Sequence, residues 1–275
     1  MNITAADVKK LRDQTGSGMM DCKKALVEAN GDITKAIEYL RKRGQKLSDK
    51  RADRDAKEGV VIALVNDNKS KGVIIRLSSE TDFVAKNEDF VNMATEMAQL
   101  ALDSFPANKE DLLKEEYKGM PLGEKIIEQV GVIGEKIELA DYQRVEASQV
   151  ECYIHMGNKA GVLVGLTAQG EDEGLAGRNV AMQVAAMKPI ALDKDGVDAS
   201  VVQKEIEIGK EQARQEGKPE AILEKIALGK LNKFFKERTL LNQMYVKDNK
   251  VTITDYLRSV NKDLTVSEFK HVQLG

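Results

Sequence analysis

The feature that most constrains the fold is a repeat in the middle of the sequence. Residues 58–77 (EGVVIALVNDNKSKGVIIRL) align without a gap on residues 147–166 (ASQVECYIHMGNKAGVLVGL), and Gly72 falls on Gly161, 89 positions later (161 − 72). Each copy has two runs rich in β-branched and aliphatic residues around an Asn/Lys/Gly turn, a pattern that predicts a β-hairpin. The chain is therefore predicted to contain two related units.

An amphipathic stretch follows each copy of the hairpin. These stretches are FVNMATEMAQLAL (90–102) and NVAMQVAAMKPIAL (179–192). Asn92 aligns with Asn179, an offset of 87, which predicts a connecting loop two residues shorter in the second copy. A hairpin followed by a helix, twice in the same order, predicts an α+β fold made of two related subdomains, each a small antiparallel sheet backed by helices.

The sequence before the repeat predicts a separate module at residues 1–44. Three short amphipathic runs end at Gly16, Gly31 and Gly44, and glycine commonly follows the last turn of a helix. Three such helices make a small bundle with a core that is marginal alone. Residues 45–57 (QKLSDKRADRDAK) are almost entirely polar and predict a solvated linker that could itself be helical.

The rest of the chain is predicted to form the core. Its first subdomain is placed at residues 58–140 and its second at 141–275. Two charged amphipathic runs occupy about 200–238, with Gly217 suited to a helix end and Pro219 to a helix start. They predict a helical hairpin inserted in the second subdomain.

Composition excludes several classes of protein. The net charge of −3 offers no basic surplus for nucleic acid, so no direct nucleic-acid partner is expected. Cys22 and Cys152 lie far apart and form no disulfide framework. No run of 18 apolar residues and no apolar leader is present, so a cytoplasmic protein with no membrane partner is expected.

Catalytic motifs are also missing from the sequence. It contains no G-x-x-x-x-G-K-[ST] phosphate loop, no G-x-S-x-G nucleophile elbow and no His/Cys pair with zinc spacing. The Gly-x-Gly of TGSGMM follows a predicted helix rather than a strand, which favours a helix-linking turn. No catalytic residue, cofactor or metal ligand is therefore assigned, and the chain is not expected to be an enzyme. These observations favour a binding or scaffolding protein.

A short polar segment, SSETDFVAKNEDF (78–90), places Asp82 and Phe83 side by side between the first hairpin and its helix. The pattern alone favours a phenylalanine folded back into its own core, with Asp82 capping the next helix. Display of the ring to a partner is the alternative.

Three strings resemble the elongation factor Ts family. They are TGSGMMDCKKAL followed by ANGDI, TDFVAKNEDF after the first hairpin, and YIHMGNKAGVLV in the second. The resemblance covers nearly the whole chain in order. It implies a three-helix bundle of ubiquitin-associated type, a core of two related subdomains and an inserted helical hairpin. It also implies a guanine-nucleotide exchange factor for the GTPase elongation factor Tu.

The resemblance gives the aromatic segment a role. Thr81, Asp82, Phe83 and Val84 match the family's partner-binding string, in which the aspartate and phenylalanine act as a wedge. The pair would insert between two helices of the GTPase and displace the bound Mg²⁺, which loosens the nucleotide. Under the hairpin offset, position 82 falls on Glu171, so the second copy lacks the aromatic residue.

Further partner contacts are implied at Arg12, Met19, Met20 and His155. Without the resemblance, methionines fill cores and an exposed turn histidine is incidental. However, two neighbours on a helix cannot share one face, so at least one methionine is expected to face outward. The hairpin at 200–238 either contacts the partner, self-associates or is a solvated projection.

The resemblance leaves open whether a homodimer forms within a 2:2 complex. Some family members also continue into a C-terminal helical module with added contacts, and these are not transferred to this sequence. The alternative function is a non-catalytic protein-interaction scaffold whose N-terminal bundle binds a partner.

Overall fold

Three short helices form the N-terminal part of the chain. The computed structural model describes residues 3–275. The helices are α1 (Ala5–Thr15), α2 (Met19–Glu28) and α3 (Ile33–Arg51). Thr4 and Asp7 form a reciprocal capping box that starts α1, and Gly16 ends it in the left-handed conformation (φ 69°). The predicted three-helix arrangement is confirmed, with a small core that includes Leu11, Cys22 and Leu26.

The duplicated core follows, and each copy contains, in the same order, a hairpin, a long helix, a short two-stranded sheet, a further helix and a third main strand. The first set is β1 (Glu58–Val65), β2 (Lys71–Ser79), α4 (Asp82–Ala85), α5 (Glu88–Ser104), α6 (Lys109–Leu112), β3 (Glu116–Tyr117), β4 (Met120–Pro121), α7 (Leu122–Ile133) and β5 (Glu138–Glu146). The second set is β6 (Gln149–His155), β7 (Ala160–Leu166), α8 (Glu171–Met187), α9 (Ala199–Gln215), α10 (Glu220–Arg238), β8 (Met244–Tyr245), β9 (Asp248–Thr252), α11 (Ile253–Val260) and β10 (Val266–Gln273). The predicted α+β class is confirmed.

The two main sheets share one topology and one register. Their strand orders are β1-β2-β5 and β6-β7-β10, with the second hairpin strand central in each. Leu64 pairs with Val73 in the first hairpin, and Tyr153 pairs with Val162, each 89 positions later, in the second. The third strands also match, because each pairs with a register shift next to the equivalent leucine, Leu77 or Leu166. The repeat thus extends from sequence to hydrogen-bond register.

The helices after the hairpins correspond differently from the sequence alignment. Both end in a left-handed residue, Phe105 for α5 and Lys188 for α8, an offset of 83 (188 − 105). Both helices have 17 residues, and their first residues, Glu88 and Glu171, show the same offset (171 − 88). The predicted offset of 87 is therefore wrong. The first copy has six residues more than the second in its strand–helix connection (89 − 83), and α4 lies in this longer connection.

Strand β5 bears on the predicted boundary between the subdomains. A boundary at residue 140 would cut β5, which pairs with β2 along the first sheet. We propose to divide the core after Glu146, which keeps each sheet whole.

The two main sheets pack face to face through a small apolar core. Its buried members are Val61, Ala63, Ile74, Val145, Val150, Leu163 and Val272. A Cβ on Gly72 would lie 2.7 Å from Val150 Cγ1, and a Cβ on Gly161 would lie 2.8 Å from Ile74 Cδ1. The repeat glycines are therefore the positions where the sheets approach most closely, which explains why both copies carry glycine there.

The prediction that Gly44 ends the third helix and that a solvated linker follows is wrong for residues 45–51. Helix α3 continues to Arg51, and Leu47 packs on the first core. Gly44 is buried because α3 crosses α7 there: a Cβ on Gly131 would lie 2.9 Å from the Gly44 Cα. Glycine serves close helix approach here rather than termination.

The end of α3 is held by two charged residues of the first subdomain. The Glu80 carboxylate accepts hydrogen bonds from Arg51, from Arg54 Nη1 (2.9 Å) and from the Lys136 backbone N–H (2.6 Å). Lys136 Nζ donates to the carbonyls of Ala52 and Arg54. Burial disfavours the charged form of Glu80, but these bonds outweigh it and lower its pKa to about 2.

The predicted helical hairpin is confirmed as the pair α9 and α10, inserted between α8 and β8 of the second copy. Gly217 adopts φ 75° in the turn, and Pro219 precedes the first residue of α10. Gly209 lets the helices approach closely, because a Cβ there would lie 3.1 Å from the Ala227 Cα.

We expect Gly72→Ala to destabilise the protein by about 1–3 kcal/mol, because the added methyl overpacks the interface between the sheets. Urea unfolding monitored by circular dichroism measures the change. Gly229→Ala is the control: Gly229 lies inside α10 with open space around it, so a gain of up to about 1 kcal/mol is expected. Equal effects from the two substitutions would contradict the packing role of Gly72.

We expect Glu80→Gln to destabilise the protein at neutral pH by about 1–3 kcal/mol, because the lost charge accepted strong hydrogen bonds. The pKa of folded Glu80 lies below its ordinary value of 4.5, so its charge stabilises the fold above that pH. The stabilisation is lost as the pH falls toward 2. Urea unfolding of both proteins is measured at neutral pH and near pH 3. The difference between their urea midpoints should be smaller near pH 3, and an equal difference at the two pH values would contradict the assignment.

Candidate functional site

The aromatic segment forms a helical turn on the protein surface. Thr81 precedes α4 with extended backbone, and its hydroxyl accepts from the Val84 N–H at 3.5 Å. Phe83 is 83% exposed, whereas the other five phenylalanines, all within residues 3–275, are buried or half-buried. The interpretation that Phe83 folds back into its own core is therefore wrong. On the short helix α4, Phe83 faces solvent, while its neighbour Val84 packs against the first core.

Asp82 pairs with a lysine one turn further along. Its carboxylate accepts a hydrogen bond from Lys86 Nζ at 2.6 Å, and this bond, with the lysine's charge, lowers the pKa of Asp82. The expected cap on the next helix comes from a different residue, because Asn87 accepts from the Asp89 N–H at the start of α5. Asp82 therefore presents a charged carboxylate, paired with Lys86 at the surface, beside the exposed ring.

Two glutamates hold this turn against the loop after α7. Glu135 accepts from both the Thr81 N–H (3.0 Å) and the Thr81 hydroxyl (2.7 Å). Glu80, which precedes Thr81, accepts a hydrogen bond from the backbone N–H of Lys136, which follows Glu135. We call these four residues the carboxylate clasp. Sequence reasoning missed both glutamates: Glu80 only adjoins the aromatic segment, and Glu135 has no motif.

Phe83 stands at the rim of an apolar groove. Its walls include Val84, Met93, Val132 and Ile133, and Gly16 at the end of α1 reaches the same groove. A Cβ on Gly16 would lie 3.8 Å from Val132 Cγ1, so the turn between α1 and α2 rests on α7. The N-terminal helices and the aromatic turn therefore share one face of the molecule.

The two methionines predicted as contacts both face outward. Met19 is 56% and Met20 is 74% exposed, at the first turn of α2. They do not fill the bundle core, where Cys22 and Leu26 face inward instead. Arg12 is also exposed, in the last turn of α1. The prediction that at least one methionine faces outward is confirmed, and both of them do.

His155 lies at the exposed end of β6. Its Nδ1 is 3.2 Å from the Tyr153 hydroxyl. It lines a groove with Lys57 and Glu58 at the start of β1. Glu58 also lies near the aromatic turn, because it pairs with Ser79 at the end of β2, two residues before Thr81. The structure thus places His155 and Asp82 around the same end of β1.

Residues 3–275 contain no group of three or more His, Cys, Asp or Glu side chains that could hold a metal ion. Within the same residues, no helix combines the length and apolarity needed to cross a membrane.

Comparison with known proteins identifies the family. The family described as Elongation factor TS has a model that matches residues 80–275. Proteins named Elongation factor Ts from Christiangramia forsetii and Flavobacterium psychrophilum are 55% and 53% identical to this chain over 273 residues, with 99% of each chain covered. The Elongation factor Ts of Amoebophilus asiaticus is 55% identical over 276 residues, with both chains fully covered. The chain therefore belongs to the elongation factor Ts family of translation elongation factors.

Proposed function

We propose that this protein binds the GTPase elongation factor Tu in its GDP-bound form and catalyses exchange of GDP for GTP. Asp82 and Phe83 would enter the GTPase near its Mg²⁺, displace the ion and loosen the nucleotide. The observation that carries this proposal is the exposure of Phe83, a large ring in water on a turn that four polar residues hold in place.

An exposed ring is suited to anchoring a complex. Burial of a phenylalanine side chain in a pocket yields about 1.5–3 kcal/mol relative to leaving it in water. Aromatic anchors of this kind contribute much of the binding free energy at protein interfaces. Phe83 is 83% exposed, so most of this gain is available on docking.

The carboxylate of Asp82 supports the second half of the proposal. Its lowered pKa keeps it charged at neutral pH, and its ion pair with Lys86 lies at the surface. Surface pairs contribute little, about 0–1 kcal/mol, so the pair can open on docking. Mg²⁺ requires near-ideal octahedral geometry. A carboxylate that enters its network of water and protein ligands would weaken the hold on the diphosphate.

The remaining predicted contacts would dock the factor on its partner. Met19 and Met20 offer flexible apolar side chains that adapt to an opposing surface. Arg12, on the preceding helix, adds a charge to the same module. His155 would contact the GTPase at a second point, in the groove that it lines together with Glu58.

Exchange of this kind requires no covalent step, no cofactor and no metal on the factor itself. Binding of the factor lowers the affinity for nucleotide, and by linkage nucleotide lowers the affinity for the factor by the same ratio. Incoming GTP would therefore release the factor for another cycle. We propose that this cycle takes place in the cytoplasm and involves neither nucleic acid nor a membrane. Its stoichiometry, 1:1 or 2:2, is a separate question.

We expect Phe83→Ala to slow factor-stimulated GDP release by about 10–100-fold, because the variant loses the burial of the ring in the complex. Release of fluorescent GDP from elongation factor Tu, with the factor in small catalytic amounts, measures the rate. Leu175→Ala, which truncates another exposed side chain on α8, is the control and should leave the rate unchanged.

Two outcomes would contradict the proposal. Native rates with Phe83→Ala would exclude the wedge. If each molecule of the native protein released no more than one GDP, it would be a stoichiometric binding protein, as the scaffold alternative requires.

We expect the double substitution Met19→Ala, Met20→Ala to raise the KM for the GTPase several-fold with little change in kcat. The contacts of the methionines with the GTPase would be equally strong before and during nucleotide release. Contacts of this kind lower KM and leave kcat unchanged. Titration of the GTPase in the same assay separates the two constants. A fall in kcat at unchanged KM would contradict this role, and Val27→Ala, at another exposed apolar residue of α2, is the control.

A further inference from the structure

The carboxylate clasp has a reciprocal form. Glu80 accepts the N–H of Lys136 at 2.6 Å, while Glu135 accepts the N–H of Thr81 at 3.0 Å. Each of two neighbouring loops thus binds the other through one carboxylate and one backbone donor. The bond from the Thr81 hydroxyl to Glu135, at 2.7 Å, adds a third link. Hydrogen bonds to a charged acceptor are roughly twice as strong as neutral ones.

We propose that Glu135 is a positioning residue for nucleotide exchange, which acts by fixing the turn that presents Phe83. The inference rests on the proposed function. Glu135 does not itself belong to the exposed contact surface, because it is half-buried behind Thr81. Its effect on the partner would pass through the backbone of α4.

The second copy of the repeat supports this assignment. The connection after the second hairpin, residues 167–170 (TAQG), has no carboxylate in place of Glu80. Helices α7 and α11 end at Ile133 and Val260, and this offset of 127 (260 − 133) places Glu135 on Lys262. The second copy has neither carboxylate, yet it builds the same sheet. The clasp therefore occurs in the copy that carries α4 and Phe83, and the equivalent sheet forms in the other copy without these two carboxylates.

The turn has reason to need such a constraint. Helix α4 has four residues, too few to be stable by itself. Phe83 is almost fully solvated and has little packing of its own to direct it. Its direction must therefore come from the backbone, which the clasp holds before the partner arrives. A turn that is ordered before the partner binds loses less entropy on binding. It also keeps Phe83 within the narrow range of positions that exchange requires.

The test compares Glu135→Ala with Glu135→Gln and with the control Glu124→Ala, at an exposed glutamate of α7, the helix that precedes Glu135. In the isolated protein we expect amide hydrogen exchange in residues 80–86 to accelerate about tenfold or more for Glu135→Ala, with β1 and β2 protected as in the native protein. In the GDP-release assay we expect kcat to fall about 10–100-fold with KM little changed. Glu135→Gln retains an acceptor oxygen for Thr81 and should be intermediate, and Glu124→Ala should match native.

A double-substitution cycle separates positioning from a merely structural effect. If Glu135 acts through the ring, Glu135→Ala should have no further effect on kcat in the Phe83→Ala background. Equal losses in both backgrounds would overturn the proposal, as would unchanged hydrogen exchange in residues 80–86 or a native kcat for Glu135→Ala. Native release rates for Phe83→Ala would instead overturn the proposed role of the ring, and the hydrogen-exchange measurement on the isolated protein would still decide whether Glu135 holds the turn.

Discussion

The face-to-face contact between the two main sheets is the constraint on which the rest of the structure depends. Gly72 and Gly161 occupy equivalent positions, and each lies against side chains of the opposite copy: Val150 and Leu163 for Gly72, Val61 and Ile74 for Gly161. These partners are themselves equivalent pairs, so the two halves meet through an approximate two-fold relation. Side chains longer than hydrogen at either glycine would push the sheets apart and shift every element attached to them. Both the aromatic turn and His155 depend on this arrangement, because each lies near the start of β1.

Much of this architecture could be predicted from the sequence, for identifiable reasons. The hairpins were predictable because alternating apolar runs and turn residues are local signals, and the equal spacing fixed their equivalence. The linker prediction failed at Gly44 because glycine marks both helix ends and close helix crossings, and only the partner Gly131 distinguishes the two. The helix alignment failed because Asn92 and Asn179 matched by identity, whereas the left-handed residues that end the helices, Phe105 and Lys188, define the equivalence.

The candidate site divides in the same way. The pattern around Phe83 predicted burial, since most phenylalanines are buried, and the resemblance predicted exposure. The supporting glutamates could not be found from sequence, because their partners lie 54 and 56 residues away and the bonds are to backbone N–H groups. Acidic residues in a chain that is 32% charged give no local sign of such a role. Residues that act by holding others are therefore the part of a site that three-dimensional structure alone supplies.

The unequal connection after the two hairpins has a wider consequence. Each copy carries one element that the other lacks: α4 in the first, and the pair α9 and α10 in the second. Both additions lie outside the apolar contact between the sheets. A duplicated protein of this kind can gain elements at its periphery in either half, because an insertion outside the contact between the sheets leaves the symmetric interior undisturbed.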